Sequence, residues 1–172
     1  MSHGFGGIFL TGSSALDRAK KYLDQFNLGL EPREHEQTTK TSVEAADALG
    51  VEVGQIAKSI LFRAGESYGL FVAAGDIKID SKKVKTLLGG GKVRIAKPDE
   101  VEEKTGYRVG GVCPFDVDNN IPIFLDKSME RFDKVFSAAG SSHSYLPITL
   151  EQLEQVTGGK IVEMEKSPEQ II

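Results

Sequence analysis

The stretch Gln55-Ile56-Ala57-Lys58-Ser59-Ile60-Leu61-Phe62 decides the fold, because it reads as a buried β-strand interrupted by one cation. Side chains alternate faces along a strand, so Lys58 shares a face with Ile56, Ile60 and Phe62. An unpaired ammonium buried on that face is costly, and the usual answers are a depressed pKa, a paired carboxylate or a bound anion. The alternative is that Lys58 lies at the wet end of the strand and runs its amine out to solvent. A second apolar run, residues 68–74, follows Ala64-Gly65-Glu66-Ser67, and the pair predicts a β-hairpin with a four-residue turn.

Upstream of the hairpin, Leu16, Ala19, Leu23 and Phe26 recur at helical spacing. They predict a helix capped by Ser13 or Ser14, running to about Asn27 and ended by Gly29. Residues 33–37 follow Pro32 as an extended segment, and Ser42 is the expected cap of a helix over 43–49 that Gly50 closes. Downstream, Asp80 caps a helix over 81–88, Gly89-Gly90-Gly91 breaks the chain before a strand over 92–96, and Pro98 opens a helix that ends near Gly106. Strands are predicted at 122–126, 134–138 and 160–165, a helical turn at 127–132, and a helix at 150–157 stopped by Gly158-Gly159. Short strands and helices alternate without a regular βαβ rhythm. The expected fold is therefore α+β, a single domain over 13–172 with a curved, mixed, barrel-like sheet flanked by helices. Residues 1–12 lack the charge and apolar core of a secretory signal and are expected to form a flexible tail.

The composition, 172 residues with 40% hydrophobic and 27% charged, suits a folded domain rather than a disordered chain. A net charge of −4 excludes a uniformly basic nucleic-acid binder. One segment departs from that acidity: between Ile77 and Lys97 lie Lys78, Lys82, Lys83, Lys85, Lys92, Arg94 and Lys97, against Asp80 alone. Such a stripe is either a solvated helix face or a surface that holds a phosphodiester backbone. The single cysteine, Cys113, excludes an internal disulfide and fits a reducing, cytoplasmic compartment. No apolar run approaches membrane-spanning length. His35 and His143 have no paired-ligand spacing, so neither a metal nor a cofactor is expected.

Four features could carry chemistry. The loop Gly106-Tyr107-Arg108-Val109-Gly110-Gly111-Val112-Cys113-Pro114-Phe115 is dense in glycine; it is either a plain turn or a loop that aims backbone N–H groups at an oxyanion. The segment Ser137-Ala138-Ala139-Gly140-Ser141-Ser142-His143-Ser144 is rich in hydroxyls and could equally be a ligand loop or a capped turn. Asp126 ends an apolar strand, where it either binds substrate or caps the following turn. Cys113 has no neighbouring base and reads as a loop filler more readily than as a nucleophile. Gly89-Gly90-Gly91-Lys92 lacks the spacing and the following hydroxyl of a phosphate loop.

Taken together, these residues resemble the YbaK-like, prolyl-tRNA synthetase-associated editing domains. The resemblance runs from Glu34-His35 to Lys160. It rests on the helix around Ala45 to Gly50, Lys58 within its strand, Asp80-Ser81-Lys82-Lys83-Val84, the Gly110-Gly111 loop through Cys113-Pro114, and the strand ends at Asp126 and Ser137 with Gly140. It implies an α+β fold and metal-free hydrolysis of the ester joining an amino acid to the terminal adenosine of tRNA. The family's lysine falls on Lys58, its glycine loop on Gly110 and Gly111, and its strand-end aspartate and hydroxyl on Asp126 and Ser137. Ser141, Ser142 and His143 stand where several members carry a Gly-Lys-Arg-Gly type segment. This variant resembles the branch that edits seryl-, threonyl- or alanyl-tRNA, and it leaves cysteine specificity open.

The expected activity is thus a trans-acting deacylase of mischarged tRNA. Lys58 positions the substrate, Gly111 stabilises the oxyanion, Asp126 supports the site, and Cys113, Pro114, Ser137 and residues 140–143 line the pocket. Lys78, Lys82, Lys83 and Lys85 are expected to meet the tRNA, and a synthetase is a conceivable further partner. The rivals are a non-catalytic module that holds tRNA ends or a nucleotide-like ligand, and a small-ester hydrolase indifferent to tRNA.

Overall fold

The computed structural model describes residues 11–37 and 39–167. The first helix, α1 (Thr11–Asp24), buries Leu16, Ala19 and Leu23. Ser13 and Ser14 lie inside this helix rather than capping it, and its end is turned by Asn27 and Gly29 at φ 55° and 69°. The tail expected over 1–12 falls outside the described residues up to position 10, and Thr11 and Gly12 belong to α1.

After β1 (Arg33–Glu34) comes α2 (Ser42–Leu49), whose cap is Thr41, not Ser42. The Thr41 hydroxyl accepts from the Glu44 amide and the Glu44 carboxylate accepts from the Thr41 amide, a reciprocal box that fixes the helix start. The hairpin β2 (Ile56–Ala64) and β3 (Ser67–Ala74) is the centre of the molecule. Its turn is tighter than expected: Ala64 pairs with Ser67, leaving Gly65 and Glu66, and Gly65 takes the φ of 62° that a two-residue turn needs.

Beyond the hairpin follow α3 (Ser81–Leu87), β4 (Val93–Ile95), α4 (Pro98–Thr105) and β5 (Ile123–Asp126). A 3₁₀ turn (Lys127–Arg131), β6 (Val135–Ser137), β7 (Ser144–Ile148), α5 (Leu150–Thr157) and β8 (Lys160–Val162) complete the chain. The strand β7 has no counterpart among the sequence expectations. Pro147 interrupts it, yet its pairing with β6 survives because Val135–Ile148 and Ser137–Leu146 flank the proline, and β1 no longer covers its other side.

All eight strands form one mixed sheet in the order β1-β7-β6-β2-β3-β5-β8, with β4 paired to β2 off that path. Among the described residues β1 and β8 do not pair, so the barrel-like sheet stays open. Phe71 packs edge-on to Phe62 (centroids 5.3 Å apart) and stacks on Phe124 (4.9 Å), tying the hairpin to β5. Aromatic pairs of this kind add roughly 0.5–1.5 kcal/mol beyond their buried area.

One detail of the topology positions the site. On its β3 side β2 is paired without a break from Ala57 to Ala64. On its other edge it meets β6 only at Ile56 and Ala57 and β4 only at Phe62, Arg63 and Ala64. The sheet is split between those two partners, at Lys58-Ser59-Ile60-Leu61.

Candidate active site

A cavity of about 390 Å³ lies at this split. Ile56 to Leu61 of β2 line it, together with Phe136, Ser137 and Ala138 from the end of β6, Ile95 at the end of β4 with Ala96 after it, and Gly110 and Val112 from the glycine loop. Ser42, Ala45 and Leu49 of α2, its cap Thr41, and the segment around His35 and Thr39 also line the cavity. Its size falls within the range of small-ligand sites. Among the described residues the lining contains one imidazole, one strand lysine and several hydroxyls, but no carboxylate and no thiol.

Lys58 is half-buried, and its Nζ donates to the Ile77 carbonyl at 2.6 Å. Burial pushes its pKa down from the ordinary lysine value, while the charges of Asp76 and Asp126 oppose the shift. Asp126 itself is not at the cavity surface. It is 1% exposed; Oδ1 accepts from the Met164 amide at 2.6 Å and Oδ2 from the Ser128 amide at 3.0 Å. It caps the 3₁₀ turn, joins β5 to the C-terminal segment, and acts on Lys58 through its field.

The glycine loop divides. Gly110 lines the cavity and takes a φ of 99°. Gly111 does not line it: its amide donates to the Arg108 carbonyl at 2.9 Å, and its carbonyl accepts from the Gly140 amide at 3.1 Å. A Cβ on Gly111 would stand 2.7 Å from the Gly140 backbone. The expectation that the Gly111 N–H faces an oxyanion is therefore corrected, since that donor is already used to close a turn. Cys113 and Pro114 are buried behind the loop; burial pushes the Cys113 thiol up to about 12 and keeps it protonated.

The hydroxyl-rich segment divides in the same way. Ser137, Ala138 and Ser144 reach the cavity, whereas Gly140, Ser141, Ser142 and His143 are not among its lining. Gly140 packs against α1, where a Cβ would lie 2.7 Å from the Ala15 carbonyl oxygen. The Ser144 hydroxyl accepts from the amides of Ala139 and Ser141 and holds the turn closed. The carbonyls of Ser142 and His143 accept from the amides of Thr39 (2.9 Å) and His35 (2.8 Å). This turn is a strap that fixes the His35–Thr39 wall.

Two lining residues were not singled out for chemistry by sequence reading. The His35 Nδ1 and the Ser59 Oγ are the buried side-chain polar atoms without a hydrogen-bond partner among the described residues, and both residues line this cavity. His35 was legible only as part of the Glu34-His35 pair, and Ser59 only as the neighbour of Lys58. Among the basic candidates, Lys78, Lys82 and Lys85 are exposed, while Lys83 Nζ donates to the Glu165 carbonyl at 3.0 Å. Arg94 is spent on an ion pair with Glu100 at 2.7 Å.

An open-edged mixed α+β sheet with a cavity at its split, lined mostly by apolar side chains with a few convergent polar groups, has the form of a small-molecule site. Residues 36–156 match the aminoacyl-tRNA editing domain family, and the chain belongs to that family. It is an enzyme of the aminoacyl-tRNA deacylase class. It is similar to the uncharacterized protein YwhH of Bacillus subtilis, 38% identical over 86% of this chain and 94% of the relative. An Enterococcus faecalis protein provisionally described as a Cys-tRNA(Pro)/Cys-tRNA(Cys) deacylase is 27% identical over 69% of this chain and 73% of its own. The proline–tRNA ligase of Thermosipho melanesiensis is 29% identical over 71% of this chain, which spans only 22% of that ligase. A crystal structure provisionally described as a trans-editing enzyme for prolyl-tRNA synthetase superimposes with a TM-score of 0.81 at 32% identity, over 89% of this chain and 98% of its own. No helix among the described residues is long and apolar enough to cross a membrane.

Proposed function

We propose that the protein is a trans-acting, cytoplasmic deacylase that hydrolyses the ester of mischarged tRNA carrying a small amino acid: serine, threonine, alanine or cysteine. The observation that carries this reading is convergence. Lys58, Gly110 and Ser137 are far apart in the chain yet line one cavity, which among the described residues offers a cation and polar groups but no carboxylate or thiol. The Lys58 ammonium has three donors and the Ile77 carbonyl takes one, so Lys58 can hold the terminal phosphate or ribose while remaining anchored. Its role is to position the ester, with Asp126 sustaining its charge from behind. With one imidazole and no acidic group or thiol in the lining among the described residues, the donor set suits neither a metal nor a covalent thiol route. Water attacks, steered by an amine or alcohol of the substrate itself.

The Lys78 backbone continues directly from Ile77, whose carbonyl anchors Lys58, and leads into α3 with Lys82, Lys83 and Lys85. This places a basic surface on the segment that meets the active lysine, as a tRNA acceptor end requires. Discrimination by one methylene is worth only roughly 1–3 kcal/mol, which is why a separate editing step is physically reasonable. The test is a panel of misacylated tRNAs followed by release of the amino acid. Release that disappears in Lys58→Ala supports the reading; tight binding of the tRNA end with no release on any substrate overturns it in favour of a binding module.

A further inference from the structure

We infer that the aminoacyl group docks at Ser59 as a one-residue strand, filling the split in the sheet; this rests on the deacylase reading above. The register of β2 fixes the geometry. The Leu61 carbonyl accepts from the Ala96 amide at 2.9 Å, and the Leu70 amide, across from Leu61 on β3, donates to the Pro122 carbonyl at 2.9 Å. Leu61 and Leu70 therefore turn their backbone groups away from each other, and with strand alternation so do Ser59 and Val72. The N–H and C=O of Ser59 thus face the open edge. There β6 has ended at the Ala57–Ser137 pair, β4 has not begun, and no ladder partner is described.

An α-aminoacyl ester presents an N–H donor and a C=O acceptor on either side of one carbon. That is the pair a strand residue exchanges with its opposite number in a hydrogen-bonded antiparallel pair. Its carbonyl accepts from the Ser59 N–H and its α-amine donates to the Ser59 C=O. The Ser59 N–H then replaces Gly111 as the donor that holds the carbonyl oxygen as water adds. The unpartnered Ser59 Oγ and His35 Nδ1 in the same cavity are an independent sign that its ligand brings hydrogen-bonding groups.

The experiment removes each half of the pair. For the aminoacyl-tRNA cleaved fastest, a des-amino counterpart with the same side chain is compared, each rate divided by its spontaneous hydrolysis. Loss of the amine should cut the acceleration at least about tenfold, the scale of one hydrogen bond. In the full chain, replacing the amide of residue 59 by an ester linkage should lower kcat/KM roughly 10²–10³-fold, as for a lost oxyanion donor. It should leave Tm unchanged, because that N–H supports no ladder. The same replacement at Ile60, whose N–H faces β3, should lower Tm. Equal acceleration without the amine, or kcat/KM within twofold after the change at 59, overturns the docking mode. Failure to cleave any aminoacyl-tRNA would instead overturn the deacylase reading beneath it.

Discussion

The two ends of β2 treat polar groups in opposite ways. At the Arg63 end, Glu100 accepts from Arg63 at 2.7 Å, from the Tyr68 hydroxyl at 2.6 Å, from Arg94 at 2.7 Å and from the Lys97 amide at 2.8 Å. At the Lys58 end, five residues earlier, an ammonium rests on a single carbonyl and the Ser59 hydroxyl has no partner among the described residues. The strand is shared, and Ser59 and Arg63 lie on the same face of it; what differs is the neighbour, since Glu100 of α4 pairs with Arg63 at one end and the cavity opens at the other. A buried polar atom left unmade costs roughly 1–3 kcal/mol, so the Lys58 end holds stability in reserve for a ligand. The Arg63 end holds the frame.

The sharpest way to break this comparison is Lys58→Met, which keeps the bulk and deletes the charge. Deacylation should fall on the order of 10²-fold or more, the scale of one lost transition-state contact. Thermal melts should show no loss of stability at neutral pH, because burial already disfavours the ammonium. The pH dependence carries the sign. The folded-state pKa is lowered, so between that value and the ordinary 10.5 the unfolded chain binds more protons, and wild-type stability rises with pH through this window. The Met variant should lack the rise. A large drop in Tm for Lys58→Met would make Lys58 a structural residue.

Gly111→Ala tests the part of the glycine loop assigned to packing. The added Cβ meets the Gly140 backbone at 2.7 Å, and the overpacking should cost about 1–3 kcal/mol in denaturant unfolding. Substrate specificity should survive in the folded fraction. A change in amino-acid preference with stability intact would return Gly111 to the site. Next in size, neutralising Lys82 and Lys85 together should weaken tRNA binding and reduce the slope of log K against log salt by about 1.4 if each meets one single-strand phosphate. Hydrolysis of a minimal aminoacyl ester should not respond.

Much of this was legible in the sequence where local chemistry decides the outcome. Asp80 as a cap and Pro98 at a helix start stand as read, and so does the hairpin apart from its tighter turn, because each depends on neighbours within a few residues. Lys58 was legible because an apolar run makes a lone cation conspicuous. The strand β7 was not, because Pro147 and a serine-rich approach conceal a ladder whose tolerance of proline depends on where β1 stops. Nor could sequence assign the amides: whether Gly110 or Gly111 faces the cavity depends on the bond from Gly111 to Arg108. Ser59 was invisible for the same reason, since its importance comes from two partners that end on either side of it.

Glu100→Gln should give the smallest effect and probes the other end of the comparison. Hydrogen bonds from Arg94, Tyr68, the Lys97 amide and Arg63 hold the Glu100 carboxyl well below the usual carboxylate range. A carboxylate with a depressed folded-state pKa contributes stability that is fully present above its unfolded value and is lost as pH falls toward the folded one. The Gln variant should therefore melt below wild type at pH 7, and the gap should close as pH drops from about 5 to 2. Deacylation at pH 7 should stay within twofold, because Glu100 does not line the cavity. A gap in Tm that does not change with pH would mean that Glu100 supports the frame by shape rather than charge. A fall in kcat/KM at unchanged Tm would show that the two ends of β2 are coupled, and that the satisfied cluster helps to hold the split open for the ligand.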